Sequence, residues 1–207
     1  TKEWDLYRKL LSLDQNVLLD DLHLGGGTPT FLNPQELGDY LSLLLSTVKI
    51  SSQSEYSVEA DPRVTSEEHL SVLRQYGFKR LSLGIQDFNP DVQNIVNRKQ
   101  SVKEVQDLTD CARKIGFTSI NFDLIYGLPL QSVNSIQKSV KEVCAIKPDR
   151  IAFYSYAHVP WIKPSQRRFS ESDLPIGDQK RQLYEEGRKV LEVSGYREIG
   201  MDHFALE

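Results

Sequence analysis

The stretch SVKEVQDLTDCARKIGFTSINFDLIYGLP, residues 101–129, decides the fold. Ser101 with Glu104 three residues on forms a reciprocal capping box and marks a helix start. Val105, Leu108, Ala112 and Ile115 then recur at helical spacing and make one apolar stripe. Gly116 followed by Phe117 supplies the left-handed cap that ends such a helix. Residues 118–125 are short, apolar and rich in branched and aromatic side chains, so they read as a strand. A helix that feeds directly into a strand is half of a parallel strand–helix repeat.

The same unit recurs on both sides. Upstream, Asn33 caps a helix with Pro34 in its first turn and Glu36 at the third position, ahead of a stripe of Leu37, Tyr40, Leu41, Leu44, Leu45 and Val48. Thr65 with Glu68 offers another capping box ahead of Leu70, Leu73 and Tyr76, and Gly77-Phe78 and Gly195-Tyr196 repeat the glycine stop. Strands are expected at residues 19–24, 55–60, 80–85, 118–125 and 150–156. The fold class is therefore α/β with parallel pairing. Right-handed crossovers in series curl such units into a partial barrel or lay them out as a doubly wound sheet, and the pattern alone leaves both open.

With 207 residues, about two fifths of them apolar, the chain suits one core, and residues 1–207 read as a single domain. The net charge of −4 comes without a basic block, which speaks against nucleic-acid binding. No run approaches the length of a membrane span, and no charged-then-apolar leader is present. The expectation is a soluble, cytoplasmic monomer. Thr1 is not an initiator methionine and Glu207 follows at once on the dense segment Gly200-Met201-Asp202-His203-Phe204, so a stretch of a longer protein is expected. The two cysteines, Cys111 and Cys144, lie in helically spaced apolar stretches and read as ordinary buried thiols.

In parallel α/β folds ligands bind at the carboxyl ends of the strands. Those ends here are Gly25-Gly26-Gly27-Thr28-Pro29-Thr30, Glu59 with Asp61, Gln86 with Asp87, Asp123, and Ser155-Tyr156-Ala157-His158. The glycine run lacks the lysine of a phosphate loop and the spacing of a dinucleotide fingerprint. It is either a permissive turn or a place where backbone approaches a small ligand. Glu59, Gln86, Arg98 and Asp123 together suit a zwitterionic, ribose-bearing ligand, although each alone reads more often as an ion-pair, cap or loop residue. His23, inside an apolar strand, is expected in the core and His69 on a helix surface. His158 and His203 are either pocket residues or histidines bonded to backbone.

Glycine-run residues 25–32 resemble the motif of radical S-adenosylmethionine enzymes that act on porphyrin precursors. Glu59-Ala60-Asp61-Pro62-Arg63, residues 82–89, Asn97-Arg98-Lys99-Gln100 and residues 121–129 follow in the family's order. Tyr156-Ala157-His158-Val159-Pro160, Gln166-Arg167-Arg168 and residues 199–205 resemble the coproporphyrinogen oxidases of that superfamily more than its haem chaperones. The resemblance spans essentially the whole chain. It implies most of a partial (βα)6 TIM-like barrel, lacking the first strand and the cluster loop, with a C-terminal domain also outside the chain.

It further implies that Gly26, Gly27 and Thr28 hold the methionyl part of S-adenosylmethionine, that Glu59, Gln86, Arg98 and Asp123 contact its polar groups, and that Ala157 touches the adenine. The implied reaction turns two propionates of coproporphyrinogen III into vinyl groups, giving protoporphyrinogen IX in haem biosynthesis, with a 4Fe-4S cluster, a reduced electron-donor protein and a final acceptor. Lys163, Arg167 and Arg168, with His158 and His203 in second rank, are candidates for receiving the porphyrinogen. The family's Cys-x-x-x-Cys-x-x-Cys does not occur, and Cys111 with Cys144 have neither its number nor its spacing, so this stretch alone is expected to hold no metal and to be inactive. Two other readings stand beside this one: a haem chaperone of the same superfamily, and an iron-free phosphate-binding barrel enzyme.

Overall fold

The computed structural model of the chain describes residues 2–10 and 18–206. In chain order the elements are α1 (Lys2–Leu10), β1 (Leu18–Leu24), α2 (Pro34–Leu45), β2 (Lys49–Ala60), α3 (Glu67–Gln75), β3 (Phe78–Gln86), α4 (Pro90–Ile95), α5 (Val102–Ile115), β4 (Ser119–Tyr126), α6 (Val133–Ile146), β5 (Arg150–Ser155), α7 (Gly177–Val193), β6 (Tyr196–Gly200) and β7 (His203–Leu206). Caps set the helix starts. The Asn33 side chain accepts from Glu36 N at 2.9 Å while Glu36 returns the bond to Asn33 N at 3.1 Å, and Ser101 with Glu104 does the same at α5.

The third helix departs from expectation. Its cap is Ser66, one residue after Thr65, and His69 takes the place expected of Glu68. His69 Nδ1 accepts the Ser66 N–H at 3.1 Å, so Nε2 carries the proton and donates to Leu32 O at 2.9 Å. The ring is buried, not on the surface, because it fastens the turn after β1 to the start of α3. Thr65 is occupied elsewhere: its hydroxyl donates to Asp61 O at 2.8 Å and meets Thr30 Oγ1 at 2.9 Å.

The sheet order is β1-β2-β3-β4-β5-β7-β6. The first five strands are parallel and each lies beside its predecessor. A doubly wound sheet would reverse direction partway. Adding every strand to the same edge by right-handed crossovers puts the helices on one face, as in a barrel wall. Beyond β5 the parallel series stops, contrary to a continuing parallel barrel. β7 pairs antiparallel with both β5 and β6. The turn joining β6 to β7 runs through Met201 and Asp202, at φ 51° and 60°, after Gly200 at φ 102°. Two left-handed residues in succession match the twist of a tight hairpin.

The parallel strands alternate with period two. Tyr56, Val58 and Ala60, Leu81, Leu83 and Ile85, Ile120, Phe122 and Leu124, and Ile151 and Phe153 are all buried. They pack in one core with Leu37, Leu41, Leu70, Leu73, Val105, Ala112, Ile136, Val140, Leu183 and Leu191 of the helices. Each large member contributes about 1.5–3 kcal/mol by leaving water. Cys111 and Cys144 are free thiols packed at the edge of this core, and burial raises the pKa of both.

Gly187 of α7 lies against the fully buried ring of Phe153, and a Cβ there would sit 2.5 Å from Phe153 Cζ. Gly187→Ala gains up to about 1 kcal/mol of helix propensity, yet overpacking a filled core costs about 1–3 kcal/mol. The clash wins because Phe153 is also stacked on Tyr184 and has nowhere to go. Thermal melts should show Gly187→Ala lowered by roughly 2–6 °C, and an unchanged or raised midpoint would contradict this packing.

Candidate functional site

The positions that alternate with the apolar ones carry Ser57 and Glu59 on β2, Ser82, Gly84 and Gln86 on β3, Asn121 and Asp123 on β4, and Tyr154 on β5. They share the face turned away from the helices. Strand register sets them in rows: His23 lies beside Ser57, Glu59 beside Ser82, Gly84 beside Asp123, Asp123 beside Ala152, and Ala152 beside His203. His23, Ser57, Glu59, Ser82, Asn121, Asp123, Tyr154 and His203 line a cavity of about 300 Å³, whereas Gly84, Gln86 and Ala152 do not.

His23 is therefore not the core residue its apolar neighbours suggested. It is exposed on the polar face, with Nδ1 2.9 Å from Ser57 Oγ and Nε2 3.3 Å from Glu59 Oε1. A strand turns successive side chains to opposite faces, so His23 faces away from Leu22 and Leu24. Next in the row, Ser82 Oγ donates to Asp123 Oδ2 at 3.1 Å, and Asn121 Nδ2 donates to Asp123 Oδ1 and Ser82 Oγ at 2.8 Å each. At the far side, His203 Nδ1 lies 2.7 Å from Met201 O and Nε2 lies 3.1 Å from the Tyr154 hydroxyl. A carbonyl can only accept, so Nδ1 donates and Tyr154 donates to Nε2.

Burial raises the pKa of Asp123, against the opposing bonds from Asn121 and Ser82 and with help from the nearby Glu59 charge. Burial also raises that of Tyr154, reinforced by Asp123, Asp202 and Glu59.

Three glycines hold the rim open for different reasons. A Cβ at Gly25 would lie 2.7 Å from His23 Nε2 and 3.0 Å from the Glu59 carboxylate, so this position is a matter of close approach. Gly26 and Gly27 face open space but have φ of 82° and 136°, so there the backbone angle is decisive. Thr28 leads into a single tight turn, Pro29–Phe31, and α2 starts only at Pro34. The glycine run thus does not abut the helix amino terminus that an anion site of the phosphate-binding kind uses.

Gln86 ends β3 at φ 66° inside a three-residue turn closed by Asp87 N to Ile85 O at 2.9 Å, a strained conformation for a residue with a side chain. The turn is braced from behind. Buried Asp87 accepts from Ser139 Oγ and Gln131 Nε2 at 2.5 Å each and from Asn89 N at 2.6 Å. Gln100 Nε2 donates to Ile85 O at 2.6 Å. The Gln86 amide and the Arg98 guanidinium meet over Gly84, where a Cβ would be 2.8 Å from Gln86 Nε2 and 3.2 Å from Arg98 Nη2. Arg98 Nη2 donates to Gly84 O at 3.1 Å and lies 3.2 Å from Asp61 Oδ2. Its Nε is buried without a partner, and burial lowers its pKa. Gly26, Gly27, Thr28, Glu59, Gln86 and Asp123 therefore lie on or just past β1 to β4, and Arg98 reaches the same rim from the segment between α4 and α5.

The other candidates separate. Ala157 is exposed just past β5, its carbonyl accepting from Gln166 Nε2 at 3.1 Å. His158 is set among Tyr156 and Phe169, with ring centroids 6.2 Å and 5.3 Å away, and its Nδ1 is buried without a partner. Arg167 donates to Pro160 O at 3.0 Å. Arg168 lines a different cleft of about 640 Å³ with Asn89, Asp91, Asn94, Leu130 and Ser132. Only His203 of this group lines the cavity. Ser57, Ser82, Asn121 and Tyr154 were not proposed as site residues from the sequence and His23 was assigned to the core, although the period-two spacing within each strand places most of them beside Glu59 and Asp123.

The sequence model of the radical SAM superfamily matches residues 5–143. The chain is 42% identical over 207 residues to the oxygen-independent coproporphyrinogen III oxidase of Pseudomonas aeruginosa, covering 99% of this chain and 45% of that protein. To the Escherichia coli enzyme of the same name it is 45% identical over 187 residues, 90% of this chain and 41% of that one. It spans less than half the length of these relatives. Among solved structures, the Escherichia coli coproporphyrinogen III oxidase, described as a radical SAM enzyme, superposes with a TM-score of 0.87 at 44% identity, over 91% of this chain and 44% of that one. An archaeal Elp3 from Methanocaldococcus infernus shares the fold at 14% identity and a TM-score of 0.63, over 88% of this chain and 47% of that one.

A carboxyl whose pKa rises on folding contributes stability that is complete below its unfolded value of 3.8 and is lost as pH rises through the folded value. Replacing Asp123 with asparagine removes that loss while keeping an acceptor for Asn121. Asp123→Asn should melt about 2–4 °C above wild type at pH 7.5, with the gap closing toward pH 4. A gap that widens on acidification would contradict the direction assigned to Asp123.

Proposed function

The chain belongs to the radical SAM superfamily, and from that premise we propose that its polar rim binds S-adenosylmethionine within an oxygen-independent coproporphyrinogen III oxidase. The observation that supports this reading is the gathering of the glycine turn, Glu59, Gln86 and Asp123 along the carboxyl-end side of β1 to β4, with Arg98 reaching over Gly84 from the segment between α4 and α5. The residues present fit a zwitterionic nucleoside. Two carboxylates suit an ammonium group and ribose hydroxyls, a guanidinium with a buried, unfilled Nε suits a carboxylate, and three glycines leave the space and the backbone angles for close approach.

They do not fit an iron–sulfur cluster. The two cysteines sit on α5 and α6, behind the apolar face of the sheet, and burial pushes their pKa up, whereas a cluster ligand is a thiolate. No step is assigned to a cluster held by this chain.

In this reading the backbone of Gly26, Gly27 and Thr28 and the side chain of Arg98 hold the amino-acid end of the nucleoside, Glu59 and Asp123 its ammonium and hydroxyl groups, Gln86 an adjoining polar group, and Ala157 one face of the adenine. His23 steadies Glu59. The chemistry that S-adenosylmethionine supplies in this superfamily is one-electron removal of hydrogen from an unactivated carbon. The chain's task is to orient the nucleoside and keep water from it. The substrate is coproporphyrinogen III, two of whose propionates become vinyl groups as carbon dioxide leaves; a final acceptor takes the electron left on the substrate, and a separate reduced protein supplies the electron that starts the reaction. Of the basic residues at 163, 167 and 168, Arg168 lines a cleft and is assigned to a propionate, and His203 is assigned to the substrate side of the cavity. Residues 1–207 act as one domain.

The test uses the full-length protein, reconstituted anaerobically with iron and sulfide. Calorimetric titration with S-adenosylmethionine should show binding that Glu59→Gln and Arg98→Ala each weaken about tenfold, the equivalent of roughly 1.4 kcal/mol. Unchanged affinity in both variants would remove the assigned site. Incubation with coproporphyrinogen III and a low-potential reductant should give vinyl porphyrins by mass spectrometry. Bound nucleoside without vinyl product would overturn the substrate.

A further inference from the structure

The residues just after β2 place a carboxylate between two arginines. Asp61 is buried, its side chain 8% exposed, at the end of β2. Its Oδ1 accepts from Arg63 Nε at 2.9 Å and from the Arg63 backbone N–H at 3.0 Å, and its Oδ2 accepts from Arg63 Nη2 at 2.6 Å. The same Oδ2 lies 3.2 Å from Arg98 Nη2. Arg63 then donates through Nη1 to Asn97 O at 3.2 Å, the residue before Arg98 and one held at φ 57°. Asp61 and Arg63 therefore grip both the head of Arg98 and the backbone that carries it.

We infer that Asp61 is a positioning residue for Arg98, set so that the guanidinium presents its remaining donors to the carboxylate of the bound nucleoside; this rests on the function proposed above. Two observations support it. The triad holds two guanidinium charges and one carboxylate, and Arg63 occupies that carboxylate more fully than Arg98 does. One positive charge is left for an anion, while Asp123 gives its oxygens to Ser82 and Asn121. In addition, Arg98 is anchored at Nη2 alone, by Gly84 O and Asp61, leaving Nε buried and unpartnered. An unfilled donor on a desolvated cation favours a ligand that carries a negative charge and accepts hydrogen bonds.

The sign for Asp61→Asn is set by two opposed effects. Removing a carboxylate raises the local positive charge, which favours an anion, but the Arg98 side chain keeps 29% of its surface exposed, so that gain is partly screened. Releasing a long, rotamer-rich side chain from its anchor disorders the donor fork, and the ligand must then order it again. Misplacement wins, so affinity falls. Arg63→Gln should act in the same direction, because Asp61, freed of Arg63, pairs fully with Arg98 and neutralises it.

The experiment compares S-adenosylmethionine with decarboxylated S-adenosylmethionine on the full-length, cluster-loaded protein by calorimetry, with thermal melts confirming that each variant is folded. Asp61→Asn and Arg63→Gln should each weaken S-adenosylmethionine about tenfold and leave the decarboxylated compound within roughly twofold of wild type. A merely structural role would weaken both compounds alike, and that result in whichever variant folds overturns the assignment. Wild-type protein that binds neither nucleoside overturns the functional reading and this inference together. Wild type that binds both, with variants keeping its ratio, overturns the inference alone.

Discussion

Alternation of apolar and polar residues along the end of β2 and along β3 and β4 is the constraint on which everything else depends. Parallel strands covered by helices usually carry apolar residues on both faces, since both are buried. Here Val58, Leu83, Phe122 and Phe153 take one side, and Glu59, Gly84, Asp123 and Tyr154 the other. The helices α2, α3, α5, α6 and α7, set on one face by right-handed crossover, seal the first set from water. Hydrophobic burial on that side is what holds the carboxylates in register on the opposite side. A slip of one residue in any strand would exchange the two sets, placing Glu59 or Asp123 against leucines, so the register of the site and the stability of the core are one property.

How far this was legible in the sequence depends on the scale of the signal. Helix starts with a local chemical signature, such as Asn33 with Glu36 and Ser101 with Glu104, read correctly because the bonds close within four residues. The start of α3 did not, because His69 substitutes for an acidic partner and its second bond, to Leu32 O, lies 37 residues away. Sequential parallel strands were evident, yet the hairpin of β6 and β7 was not. Its turn residues, Met201 and Asp202, are not the usual ones for two left-handed positions, and nothing local announces the pairing of β7 with β5. The strand-end residues of the site were identified individually from their positions, but the network joining them was not. His23 reads as core if its neighbours are averaged and as cavity if alternate residues are separated. Asp61 reads as one more strand-end carboxylate beside Glu59 until Arg63 and Arg98 are seen paired with it. Long-range partners of this kind leave no periodicity behind.

The backbone at the rim is kept in conformations that the chain would not adopt for stability alone. Gln86 sits in a tight turn at positive φ, and Asn97 is left-handed immediately before Arg98. Buried braces hold both: Asp87 with Ser139 and Gln131 behind one, Gln93 and Gln100 between the two. Gln93 Nε2 donates at 2.9 Å to Asp87 O and to Gln100 O, joining the two loops by side-chain bonds to backbone. Such over-determination is expected where geometry must not relax when a ligand leaves. It also explains why two polar residues, Asp87 and Gln93, are buried behind the rim.

Charge is distributed to match this division. Glu59 and Asp123 lie on the middle strands without a direct cationic side-chain partner beyond the His23 contact, while Arg98 stands at the edge with its counter-ion shared. A purely anionic ligand would meet the two carboxylates unfavourably, and a purely cationic one would meet Arg98. A molecule carrying both signs a few ångströms apart satisfies each, which the glycine turn then permits to approach at backbone distance. The thiols lie outside this arrangement altogether. Cys111 and Cys144 face the apolar layer, where burial disfavours the thiolate, so the same sheet that gathers polar groups on one face removes sulfur from the chemistry on the other.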